Sequence, residues 1–222
     1  MCLDLMDSPN SKQKFKNISK DIKELEKSPS CGFYDIVLQT FKLIKSVPQK
    51  IHWRIYLELA DLAKRESKFG FAGSMFKIVV SIQPYAYQGW LEYSKMEEEC
   101  GNYEQSRKII QMGLKLNPLS ENLFTKAVKL EDRAPNGTAR VREMVERIRA
   151  NREASIDKTW RIYLEAALFE GRMGNRKEAR ALFQYLMTEC KGHGTIHLEA
   201  SKYEERENQL ISAIDTCNTG IK

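Results

Sequence analysis

Trp53-Arg54-Ile55-Tyr56-Leu57-Glu58 recurs letter for letter as Trp160-Arg161-Ile162-Tyr163-Leu164-Glu165. The copies stand 107 residues apart, three times about 36, which is the length of one helical-hairpin repeat. Two further copies fall between them: WLEYSKME from Trp90 and FTKAVKLE from Phe124. A fifth, HLEASKYE, starts at His197 without the leading aromatic residue. Leading positions 53, 90, 124, 160 and 197 give intervals of 37, 34, 36 and 37. A fixed period of this length means stacked supersecondary units, because one hairpin alone cannot bury its apolar face.

Each copy reads as the first helix of a hairpin. Trp53, Tyr56 and Leu59, or Trp90, Tyr93 and Met96, recur every three residues along one helical face. Gly70, Gly101-Asn102, Pro135-Asn136-Gly137 and Gly174-Asn175 interrupt the pattern where a left-handed cap or tight turn is wanted. A second apolar-periodic helix follows, opened by a small residue and an arginine, as in Ser106-Arg107, Ala139-Arg140 and Ala179-Arg180. Gln83-Pro84, Asn117-Pro118 and Lys191-Gly192 close second helices. Upstream, residues 33–47 form a second helix stopped at Pro48, and the lysine-rich stretch before it is its partner. The expected organisation is an N-terminal degenerate capping repeat over residues 1–50. About five repeats then span 51–222, starting near 51, 88, 122, 158 and 195. The fold class is all-α, a right-handed α-solenoid. Trp53, Tyr56, Trp90, Tyr93, Phe124, Trp160 and Tyr163 are its repeat-core residues. Replacing a fully buried one of the tryptophans with alanine costs ~3–5 kcal/mol.

Composition fits a charged helical protein. Of 222 residues, 36 are Lys or Arg and 30 are Asp or Glu, a net charge of +6 that leans mildly towards acidic partners such as RNA. Five cysteines are scattered and none forms a CxxC pair, which fits free thiols in a reducing compartment. No apolar run reaches the ~18 residues of a membrane helix, so no membrane partner is expected.

The pattern Trp-x-x-Tyr-x-x-apolar-Glu, a glycine turn, Ala-Arg and a closing Asn-Pro resembles the HAT (half-a-tetratricopeptide) repeat over residues 51–222. That resemblance implies a non-catalytic scaffold for protein–protein interactions in an RNA-processing assembly: splicing, 3′-end formation, ribosomal-RNA processing or RNA stability. It further implies a nuclear location, with cytoplasmic or organellar alternatives, and a possible homodimer through the repeats. The alternative reading is direct, sequence-tolerant RNA binding by the basic solenoid surface.

Motifs for chemistry are absent: there is no phosphate-binding glycine loop, HExxH or GxSxG, so neither catalytic residues nor a cofactor is expected. Cys190, His193 and His197 have spacing that zinc could use, yet a fourth ligand is missing and His197 occupies a repeat position. No metal site is expected there. Arg140, Arg142, Arg147, Arg149 and Arg152 lie on one second helix and suit phosphate contact. The competing reading is a solvated face with Arg142–Glu146 and Glu143–Arg147 as i,i+4 pairs. Lys12 to Lys27 admits the same two readings. On the first-helix face the candidate partner contacts are Arg54, Glu58, Asp61, Glu92, Lys95, Lys126, Arg161 and Glu165.

Overall fold

One backbone device recurs at four helix ends and produces the hairpins. Ser67, Gly101, Gly174 and Asn208 have positive φ, between 56° and 79°. The next amide in each case reaches back five residues: Lys68 to the Ala63 carbonyl (2.8 Å), Asn102 to Glu97 (2.8 Å), Asn175 to Glu170 (2.9 Å) and Gln209 to Glu204 (2.9 Å). This satisfies carbonyls left over at the helix end and reverses the chain within two residues. In the first hairpin the left-handed residue is therefore Ser67, and Gly70 lies inside the following helix. A fifth positive-φ residue, Asn136, precedes the second helix of the third hairpin.

The computed structural model describes residues 9–28, 31–132, 134–151, 154–190 and 192–221. These residues contain helices and turns, and no strands. The chain forms two compact units, Met1–Leu116 and Asn117–Lys222. The first holds α1 (Pro9–Lys27), α2 (Phe33–Ile44), a 3₁₀ turn (Gln49–Ile51), α3 (His52–Arg65), α4 (Phe69–Ile82), α5 (Tyr87–Glu99) and α6 (Tyr103–Leu116). The second holds α7 (Glu121–Glu131), α8 (Gly137–Arg149), α9 (Ile156–Arg172), α10 (Arg176–Glu189), α11 (Gly194–Arg206) and α12 (Leu210–Ile221). Sequential helices pair as hairpins, and within each unit one hairpin stacks on the next through contacts such as α4 with α5 and α10 with α11. The fold is thus all-α, of the helical-repeat solenoid class.

The left-handed residues supply a common register. Tyr56, Trp90, Tyr163 and His197 each stand eleven places before one of them, whereas Trp53 and Trp160 stand fourteen before. Aligned on backbone geometry, the WRIYLE tryptophans therefore lie one helical turn ahead of Trp90. Small residues occupy two fixed positions. Ala60, Ser94, Ala167 and Ser201 lie seven before the turn, and Ala72, Ser106, Ala179 and Ala213 lie five after it. Between α5 and α6 the two positions meet directly: Ser94 and Ser106 share a buried hydroxyl–hydroxyl hydrogen bond of 2.8 Å. Larger apolar residues fill the seams between hairpins. Phe76 stacks on Tyr93 at 5.7 Å, and Phe183 tilts against Tyr203 at 5.4 Å.

Candidate interaction surfaces

The repeat aromatics divide between core and surface. Phe124 is fully buried, and Trp53, Trp90, Tyr93 and Tyr163 are buried. Trp53 packs on Val79 and Ala86, and the Trp90 indole donates to the Pro84 carbonyl at 2.8 Å. Tyr56 and Trp160 are half-buried, and Tyr56 packs against the cluster of Trp53, Val79 and Ala86. Trp160, a turn ahead of the structural register, lies at the hairpin's open end. There it stacks on His193 at 4.5 Å, with the Arg161 guanidinium 5.0 Å above its ring. Arg54 repeats that arrangement over Trp53 (5.2 Å) and also faces Phe15 (5.8 Å). Tyr56 lies against Phe41 at 6.2 Å.

The arginines of α8 are turned towards the protein's own carboxylates. The buried residues Val141, Val145 and Ile148 match Ala179, Phe183 and Leu186 of α10 in spacing. Arg142, and not Arg140, is therefore the counterpart of Arg180. Arg142 donates to both oxygens of buried Glu170 on α9, at 2.6 and 2.9 Å. Arg180 does the same to Glu204 on α11, at 2.8 and 2.6 Å. Each clasp ties a second helix to the first helix of the following hairpin. These charge-assisted bonds, the first cause in each case, push both guanidinium pKa values upward. The expected Arg142–Glu146 pair does not form, because Glu170 offers a planar, desolvated partner and a bidentate geometry. Arg140 binds Glu131 (2.7 Å) and the Pro135 carbonyl (2.8 Å). Arg147 pairs with Glu143 (2.5 Å), and Arg149 with Glu146 (2.7 Å). Arg152 lies outside the described residues.

Glu170 is a buried inter-hairpin clasp position that motif reading passes over. The first-helix acid was assigned seven residues after each leading aromatic, and at Trp160 that offset falls on Ala167. The available signal is Glu-x4-Asn: Asn175 donates to Glu170 at 2.7 Å and Asn102 to Glu97 at 2.9 Å.

On the first-helix face of the second unit, α7, α9 and α11 frame a shallow groove of about 230 Å³. Trp160, Leu164 and Leu168 form its apolar lining, and Glu121, Arg161 and Glu165 bound it. Arg161 is exposed and 3.3 Å from Glu121; Glu165 is half-buried and 3.4 Å from Arg172. Lys126 is half-buried. In the first unit Glu58 accepts from Ser19 at 3.4 Å, and Lys95 pairs with Glu92 at 2.7 Å. Asp61, between Glu58 and Glu92, has a carboxyl pKa raised to about 6, first by burial and then by the charge of Glu92. The lysine-rich α1 is likewise engaged, with Glu26 held by Arg65 at 2.9 and 3.1 Å and Lys20 near Glu24 at 3.4 Å.

Cys190, His193 and His197 take separate partners. The Cys190 thiol is buried, which pushes its pKa up; His193 stacks on Trp160; His197 is buried, with Thr219 Oγ1 3.4 Å from its Nδ1. Among the described residues no group of three potential metal ligands occurs, and no helix is long and apolar enough to cross a membrane. Cys31, Cys100, Cys190 and Cys217 are free thiols.

This arrangement of hairpins coincides with a known family. A model of the PRP6 TPR-like domain matches residues 46–222. The chain belongs to the PRP6 TPR-like family. A TPR-containing protein of Dictyostelium discoideum is 40% identical over 218 residues, 98% of this chain. The chain spans only 16% of that relative's length. A tetratricopeptide repeat protein from Parabacteroides merdae has a solved structure that superposes with a TM-score of 0.50 at 14% identity, covering 92% of this chain and 77% of that one. The PRP6-type array is therefore a HAT/TPR-like helical repeat, a fold that generally serves as a binding scaffold.

Proposed function

We propose that this PRP6-type array is a non-catalytic scaffold that holds protein partners within an RNA-processing assembly, with splicing as the assembly the family name favours. The partner lies along the first-helix face of the second unit, with Trp160, Leu164 and Leu168 as apolar contacts and Arg161 and Glu165 on its borders. The location that follows is nuclear.

One observation carries the choice of protein over RNA. Each described arginine of α8 is engaged by a carboxylate of this chain: Arg140 by Glu131, Arg142 by Glu170, Arg147 by Glu143 and Arg149 by Glu146. Phosphate binding would have to compete with these carboxylates, whose negative charge also weakens the attraction of the helix for a phosphate backbone. The test is RNA affinity of the wild type and of an Arg147→Glu, Arg149→Glu variant, measured over a salt series. Weak binding that the reversal leaves unchanged fits a protein scaffold. A steep salt dependence abolished by the reversal overturns it in favour of direct RNA binding. Arg142 is left intact, since reversing it would bring a second negative charge against buried Glu170.

A further inference from the structure

On the opposite side of the second unit, α8, α9 and α10 enclose a groove of about 400 Å³. It is within the size range of ligand pockets, and its lining is mainly apolar. Val141, Val145 and Ala166 form its floor, with Ala181 and Leu182 as one wall.

The repeat register explains why the space exists. In the first unit, the seam between consecutive hairpins is filled by Phe76 of α4 stacked on Tyr93 of α5, at 5.7 Å and 11° between planes. Val145 is the α8 counterpart of Phe76, since Val141-Val145-Ile148 repeats the spacing of Ala72-Phe76-Val79. Ala166 is the counterpart of Tyr93, each standing eight residues before a left-handed glycine. Two aromatic side chains in one seam are thus an isopropyl and a methyl group in the other.

The rim carries charge of one prevailing sign. Arg142 is taken up by Glu170 and Arg149 pairs with Glu146 at 2.7 Å, so two guanidinium groups stand against the three carboxylates Glu146, Glu170 and Glu178. Glu146 and Glu178 are both exposed, and Glu178 is 3.7 Å from Arg142. The complement of an aromatic-sized apolar slot with a surplus carboxylate at its mouth is an aromatic ring beside a cation.

We infer that the α8–α9–α10 groove is a second docking site, which receives an aromatic side chain flanked by a lysine or arginine on a partner protein. The ring takes the place that the Phe76–Tyr93 pair fills in the first unit, and the partner's cation meets Glu178, whose exposed carboxylate Arg142 approaches only to 3.7 Å. The site is independent of the first-helix face.

Phenethylamine, a ring with an ammonium group, is the probe, and phenylacetate is the same ring with its charge reversed. Methyl chemical shifts of Val141, Val145 and Leu182 are followed by NMR in the whole 222-residue chain. The expected result is saturable shifts of these methyls with phenethylamine and weaker ones with phenylacetate. Filling the groove with Val145→Phe and Ala166→Tyr removes the shifts while the chain stays folded. Should that pair fail to fold, Ala181→Phe fills the slot from an exposed position. Glu178→Lys weakens phenethylamine binding and leaves the ring's site intact. Absent shifts in the wild type, shifts that survive filling, or equal affinity for phenylacetate each overturn the proposal.

Discussion

Arg142 and Glu170 form a bidentate pair in which the carboxylate is almost entirely buried and the guanidinium is about half exposed, at 4% and 46% side-chain exposure. Asn175 completes the shell around Glu170, donating at 2.7 Å. Removing the arginine leaves a desolvated charge with one neutral donor. Arg142→Ala should destabilise the second unit by ~2–3 kcal/mol, less than a fully buried pair because one partner meets solvent. Arg147→Ala, which breaks an exposed i,i+4 pair, should cost only ~0.3–0.5 kcal/mol. Urea denaturation of the two variants gives both numbers. A double cycle with Glu170→Gln isolates the coupling.

Burial ranks the repeat aromatics. Phe124 is fully enclosed, so Phe124→Ala should cost ~3–5 kcal/mol through lost transfer and a residual cavity. Trp160 is half-buried, and its stacking on His193 is open to solvent on one side. Trp160→Ala should cost roughly half as much. Equal losses of thermal stability would contradict the surface placement of Trp160.

The hairpin turns give substitutions of opposite sign. Ser67 holds φ 56°, a conformation that a residue with a Cβ adopts at a cost of ~1 kcal/mol. Ser67→Gly should therefore raise stability by up to ~1 kcal/mol, less the added entropy of the unfolded chain. Gly174 has φ 78° with open space around it, so Gly174→Ala should lower stability by ~1 kcal/mol through backbone strain alone. Thermal melts of the two variants should shift in opposite directions.

Asp61 introduces a pH dependence. Its folded pKa is raised from 3.8 to about 6, by burial and by Glu92 and Glu58, against the opposing effects of Lys64 and Arg65. The folded state then binds more protons than the unfolded state between those values. The contribution is fully present below pH 3.8 and is lost as pH rises through about 6. Asp61→Asn should flatten this part of the stability profile and stabilise the chain at pH 7 by ~1 kcal/mol, discounted for partial exposure. The check is chemical denaturation at intervals from pH 4 to 7.

Periodicity carried the fold. The duplicated WRIYLE exposed the repeat, and the glycine and proline breaks located most helix ends, because turn chemistry is local and reads directly from residue type. Three features were hidden, each for its own reason. A three-residue slip keeps the same helical face, so sequence alone could not tell that Trp160 stands a turn ahead of Trp90. Ser67 is left-handed without glycine or asparagine to announce it. Arg142 and Glu170 lie 28 residues apart on different hairpins, and neither spacing nor composition joins them. Similarly, the first-helix candidates could be placed on one face, while the apolar groove they border depends on how α7, α9 and α11 pack.

Whether the first-helix face of the second unit holds a protein partner is decided by quantitative affinity purification from nuclear extract treated with RNase. Wild type is compared with a Leu168→Glu variant that changes the half-buried groove lining. The predicted result is a set of protein partners retained by the wild type after RNase and lost by the variant, whose melting temperature stays close to wild type. Partners that disappear from the wild type on RNase treatment, or that the folded variant retains in full, would contradict it.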